Sequence, residues 1–117
     1  MVTDKKAIEA ARDLVISEEA YIAITWKDFT DFCPAPDGLI HVCGKDVQEV
    51  LDKMKAACNG LGTVRNLICI INSETLTMKD LTAITGNLPT AETCKRGMAF
   101  LKPREGAVEV YLFVGRK

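Results

Sequence analysis

The chain has little of what most catalytic signatures are built from. It holds one histidine, His41, among 117 residues. Any Ser-His-Asp or Cys-His arrangement must use that one ring. There is no C-x-x-C pair and no Gly-rich phosphate loop. A dithiol redox motif and a nucleotide cradle therefore have no support. No apolar run approaches the roughly 20 residues needed to span a bilayer. The formal net charge is only −1, which excludes a strong global field for DNA or RNA. The opening residues "MVTDKKAIEAARDL" lack the apolar block of a signal peptide, and their acids argue against a transit peptide. A cytoplasmic location is expected, with neither nucleic acid nor membrane as partner. No repeat, low-complexity stretch or linker interrupts the chain.

What is present fits one domain of 117 residues with a real core. Hydrophobic residues at 48% and charged residues at 26% are ordinary globular values. Five cysteines are an odd count. In a reducing compartment they are read as free thiols, with Cys58 and Cys69 as small core hydrophobes. Charge is uneven along the chain. Residues 1–93 hold 9 basic and 14 acidic side chains, and residues 94–117 hold 6 basic and 2 acidic. The asymmetry could steer an acidic partner. The simpler reading is that the bases protect sheet edges.

Periodicity gives the elements. Residues 4–16 read as a helix on the spacing of Ile8, Ala11 and Val15, with Thr3 as N-cap. Residues 20–26, "AYIAITW", alternate and predict a strand ending at Trp26. Pro34, Pro36 and Asp37-Gly38 predict a stiff turn. Residues 39–43, "LIHVC", predict a second strand. Residues 45–58 predict a helix with Val47, Val50, Leu51, Met54 and Cys58 as its stripe, closed by Gly60. Residues 63–73 predict a central strand, apolar on both faces. Thr77 and Asp80 resemble a capping box, with Leu76 and Leu81 as a staple. That helix ends near Gly86. A short helix is predicted over residues 90–96, then a hairpin that turns at "KPREG" into residues 107–114.

These elements imply an α/β fold, with α+β as the variant. One small mixed sheet of four to five strands carries packed helices, one βαβ unit and a C-terminal hairpin.

Three stretches could carry chemistry. Cys33, His41 and Cys43 lie around the proline turn. His41 and Cys43 share a strand face, and Cys33 could fold back to meet them. Thiolates and an imidazole ligate zinc, but this spacing matches no structural-zinc pattern, and no metal or cofactor is expected. A Cys33 activated by the imidazole, with Cys43 resolving, is the redox version. Next, Trp26, Phe29 and Phe32 recur every third residue, with Asp28 and Asp31 between them. They could form the wall and acidic rim of a pocket, or simply pack in the core. Third, Asn72 and Ser73 end the central strand, where α/β sheets bind ligands and where a helix start offers N–H groups to an anion.

No nucleophile–base–acid set can be assembled by spacing. The sequence therefore favours a small binding module without a catalytic signature. It would associate with itself or another protein, through an exposed sheet face or the edge of the terminal strand. The alternative is a small-molecule, thiol-redox or metal site centred on Cys33, His41 and Cys43.

Overall fold

The computed structural model describes all residues except 18–25, 75–76, 100–102, 104–105 and 117. In chain order the elements are α1 (Lys5–Ser17), α2 (Trp26–Phe32), β1 (Gly38–Gly44), α3 (Val47–Cys58), β2 (Val64–Ser73), α4 (Met78–Thr85), β3 (Ala91–Ala99) and β4 (Val108–Gly115). The four strands make one mixed sheet in the order β1-β4-β2-β3. β4 is antiparallel to both neighbours, and β3 is parallel to β2. β1 and β2 therefore point the same way, with β4 between them. The expected βαβ unit is β1-α3-β2, and β2-α4-β3 forms a second one.

α3 starts where Asp46 caps it: the Asp46 carboxylate accepts the Glu49 N–H at 2.8 Å. The predicted stripe is the buried face, with Val50, Leu51 and Met54 inside and Val47 and Cys58 partly so. Gly60 follows at φ +79°, as a chain leaving a helix often needs. α4 carries the predicted capping box. The Thr77 hydroxyl accepts from the Asp80 N–H at 3.2 Å, and the Asp80 carboxylate accepts from the Thr77 N–H at 3.3 Å. Leu76 of the predicted staple lies outside the described residues.

Two apolar clusters sandwich the sheet. α3 and α4 cover one face over Leu67, Cys69, Ile71, Val110 and Leu112. α1 and α2 cover the other with Ile8, Val15 and Phe29, over Ile68, Ile70, Tyr111 and Phe113. Both faces thus carry a helix layer, so no bare sheet face of the expected kind is offered. Among the described residues, no helix is long and apolar enough to cross a membrane.

Other expectations need correction. The helix expected over residues 90–96 is instead strand from Ala91 onward, because pairing with β2 decides the conformation: Leu67 aligns with Cys94 and Ile71 with Met98. The predicted strand 20–26 falls almost wholly outside the described residues, and Trp26, its last residue, opens α2 instead. The two C-terminal strands run antiparallel, as in a hairpin, but β2 lies between them and each pairs with it. β4 is not a sheet edge. It is paired on both sides and buried along its whole length, as its apolar sequence requires.

Two glycines at positive φ separate backbone freedom from close approach. A Cβ on Gly60 meets open space, whereas a Cβ on Gly106 (φ +69°) would sit 2.5 Å from the Gly44 carbonyl oxygen. Gly60→Ala is expected to cost about 1 kcal/mol and Gly106→Ala about 3 kcal/mol or more, read from urea midpoints.

Candidate functional site

The site lies where the parallel strands β1 and β2 end, the position at which open α/β sheets usually hold ligands. β4 enters there from the opposite direction. The register puts Glu109 between Cys43 of β1 and Asn72 of β2, and Tyr111 between His41 and Ile70. Alternation then sets His41, Cys43, Asn72, Glu109 and Tyr111 on the face that carries α1 and α2.

Glu109 is the centre. Its side chain is fully buried (0%), and among the described residues three side chains hold its carboxylate. His41 Nε2 lies 2.9 Å from Oε2. The Tyr111 hydroxyl donates to Oε2 at 3.4 Å, and Asn72 Nδ2 donates to Oε1 at 3.3 Å. His41 also stacks flat on Tyr111, with centroids 4.3 Å apart and planes 7° from parallel. Tyr111 stacks on Phe113, which meets Phe29 edge-on at 4.9 Å. An aromatic row thus joins the polar cluster to the core under α2.

Access runs through His41. Its side chain keeps 32% of its surface, whereas Asn72 (1%) and Tyr111 (4%) are closed off. With the ring neutral, Nε2–H donates to Glu109 and Nδ1 remains as an acceptor. A carboxylate that orients an imidazole in this way leaves its other nitrogen placed to accept a hydrogen bond. One further acceptor stands out: Asn72 Oδ1 is buried with no hydrogen-bond partner among the described residues. A buried amide oxygen left so is a costly feature.

The opposite sheet face at the same end has a crevice of about 370 Å³, lined by Lys45, Asp46, Ser73, Asp80, Ala107 and their neighbours. Ser73 donates to the Ala107 carbonyl at 3.0 Å. The helix starts here are already capped, α3 by the Asp46 carboxylate and α4 by the Thr77–Asp80 box, so N–H groups expected to greet an anion are already engaged.

The predicted residues divide between the two ends of the sheet. His41, Cys43 and Asn72 come together at the site, and Ser73 stands at the same end of the sheet on the opposite face. Cys33 does not join them. It is fully buried, and a Cβ on Gly115 would lie 3.2 Å from its sulfur. Gly115 is four residues along β4 from Tyr111, the partner of His41, or about 13 Å. Burial, with Asp37 nearby, pushes the Cys33 thiol up to about 11. α2 carries the remaining candidates. Phe29 is buried in the core, Asp31 is exposed, and Asp28 is 3.9 Å from Lys95. Trp26 opens α2; its side chain lies outside the described atoms. Among the described residues, no group of three or more His, Cys, Asp or Glu side chains could hold a metal ion.

Glu109 and Tyr111 were missed as site residues. The available signal was Glu109 itself, the one acid in "VEVYLFVG". A charge in a strand that is otherwise apolar on both faces must be satisfied internally. The chain matches no protein-family model, no curated protein and no solved structure.

Removing His41 should cost less than removing Glu109. His41→Leu is expected to lose about 1–3 kcal/mol by leaving the carboxylate short of a donor, and Glu109→Leu to lose more, because buried Asn72 and Tyr111 then both lose that acceptor; urea unfolding measures both. Thiol reactivity should follow burial. Burial also lifts Cys69 to about 12, so iodoacetamide at neutral pH should label exposed Cys94 first and spare Cys33 and Cys69 until the chain unfolds, as peptide mapping would show.

Proposed function

We propose that the protein is a binding protein for a small polar ligand that docks at His41, at the carboxyl ends of β1 and β2. One observation carries this reading. A fully buried carboxylate in the middle of the sheet is held by His41, Asn72 and Tyr111. A fold gains little from such an ion, because apolar residues of the same volume stabilise as well or better. Positions that break local rules in this way are where function is expected. The ligand's chemistry follows from the ring. Glu109 occupies Nε2, so Nδ1 offers an acceptor, and the ligand is a hydrogen-bond donor such as an alcohol, amide or amine. Cys43, two residues along the same strand face, supplies a soft neighbour.

A second reading is association with another copy of this chain or another protein. It is supported by the excess of basic side chains over residues 94–117, 6 against 2 acidic, which suits an acidic partner.

NMR screening of a fragment library of small alcohols, amides and amines tests the first reading. Binders are expected to move the ring resonances of His41 and Tyr111, and to lose at least tenfold in affinity on Glu109→Gln. Hits that leave those resonances unmoved, or bind the variant equally well, would refute the site.

A further inference from the structure

Asn59 and Gly60, just past the end of α3, are the one Asn-Gly pair in the sequence. They form the corner of a type II β-turn. Asn59 stands at φ −60°, ψ 125° and Gly60 at φ +79°, and the Leu61 N–H donates to the Cys58 carbonyl at 3.0 Å. Both corner residues are exposed. The peptide between them takes no part in the hydrogen bond that closes the turn. Among the described residues nothing hydrogen-bonds the Gly60 N–H or the Asn59 side-chain amide. A Cβ on Gly60 would meet nothing within 4 Å, so this peptide has room to rotate.

The other asparagines are held. Asn72 is buried and donates to Glu109 at 3.3 Å. Asn87 donates to the Ala83 carbonyl at 2.6 Å, and the Asn66 side-chain oxygen accepts from the Thr93 hydroxyl at 2.7 Å. Asn66 and Asn87 each precede a leucine, whose side chain crowds the backbone nitrogen that follows the asparagine. The Asp-Gly pair at Asp37 and Gly38 is fixed as well. Asp37 accepts from the Arg116 N–H at 3.2 Å, and Gly38 is buried in β1 opposite Val114. Asn59 alone combines exposure, an unengaged amide and a glycine behind it.

We propose that Asn59 is a self-modification site of the folded protein, which deamidates through Gly60 and loosens the end of α3. At ψ 125° the Gly60 nitrogen points away from the Asn59 side chain, so the peptide between them first rotates, which glycine permits. The nitrogen gives its proton to a solvent base and attacks Asn59 Cγ. A C–N bond forms and closes a five-membered succinimide. The bond from Cγ to the amide nitrogen breaks, and ammonia leaves with a proton from solvent. Water then opens the ring. Addition at Cγ restores the ordinary backbone and leaves an aspartate; addition at the backbone carbonyl leaves an isoaspartate, whose chain runs through the side-chain carbon. One water is consumed, one ammonia is released, and nothing is oxidised. Either product sets a carboxylate at the negative end of the α3 dipole. Isoaspartate also adds a methylene to the turn that Leu61 and Cys58 close. Leu61 packs against the core under α3 and α4, and this contact loosens with the turn.

Purified chain is aged in mildly alkaline buffer at body temperature and followed by peptide mapping with mass spectrometry. Enzymatic methylation of isoaspartate gives a second readout. The expected result is deamidation confined to Asn59, mostly to isoaspartate, with Asn66, Asn72, Asn87 and Asp37 unchanged over the same period. Gly60→Ala should slow it about tenfold or more, because a Cβ crowds the attacking nitrogen and restricts the rotation. Circular dichroism checks that variant's fold, and the map of the native chain tests the site independently of it. The aged form should unfold at a lower urea concentration than fresh protein. Deamidation spread evenly over the asparagines, loss of the Asn59 amide only after unfolding in urea, or an equal rate in Gly60→Ala overturns the site. Equal urea midpoints for aged and fresh protein overturn the loosening of α3.

Discussion

The structure depends on the slot that β4 fills. β1 and β2 run parallel yet do not touch. β4 lies between them, antiparallel to both, and satisfies the facing backbone edges of each. Both its faces are under helices, so its side chains must be apolar on both sides, as Val108, Val110, Leu112 and Val114 are on one face and Phe113 on the other. Without that strand, each parallel strand would expose a long row of unpaired groups. The helix layers would also lose the surface on which they meet. The arrangement explains why so small a chain buries two separate apolar clusters.

The same slot creates the site. A strand that arrives from the opposite direction brings its start to the ends of its neighbours. Glu109 therefore sits between Cys43 and Asn72, and its carboxylate meets side chains from three strand segments far apart in sequence. The acid is affordable there only because donors converge on it. His41 links the buried charge to solvent, and its stacking on Tyr111 holds the ring in one orientation.

What could be read beforehand follows from which forces are local. Helix periods, the Thr77–Asp80 box, the turn at Gly60 and the doubly apolar run of β2 are all set within a few residues, and each matches the structure. The βαβ unit followed from the order of those elements. Residues 90–96 were misread because their conformation is decided by a ladder to β2, which no local pattern reveals. The insertion of β4 could not be read at all, because strand order is a property of the whole sheet. Part of the site was legible as side chains in suggestive places: His41, Cys43 and Asn72. Their meeting point, Glu109, needed the register. Cys33 could be read as reactive only on the expectation that its loop is exposed and reaches the imidazole. Burial beside Gly115 makes it inert.

The placement of β4 also bears on how the chain comes to be folded on the ribosome. β4 is the latest of the four strands to be synthesised, yet it occupies an inner position. While the first three emerge, β2 and β3 can pair with each other, but β1 lacks the strand that joins it to them, and the α1/α2 layer has no Phe113 or Tyr111 to rest on. The nascent chain therefore waits, open and apolar, until β4 clears the exit tunnel. Closure must then occur in one late step that brings together contacts distant in sequence, the kind of step that is slow and exposed to aggregation. The interval before it is when the protein most needs a chaperone.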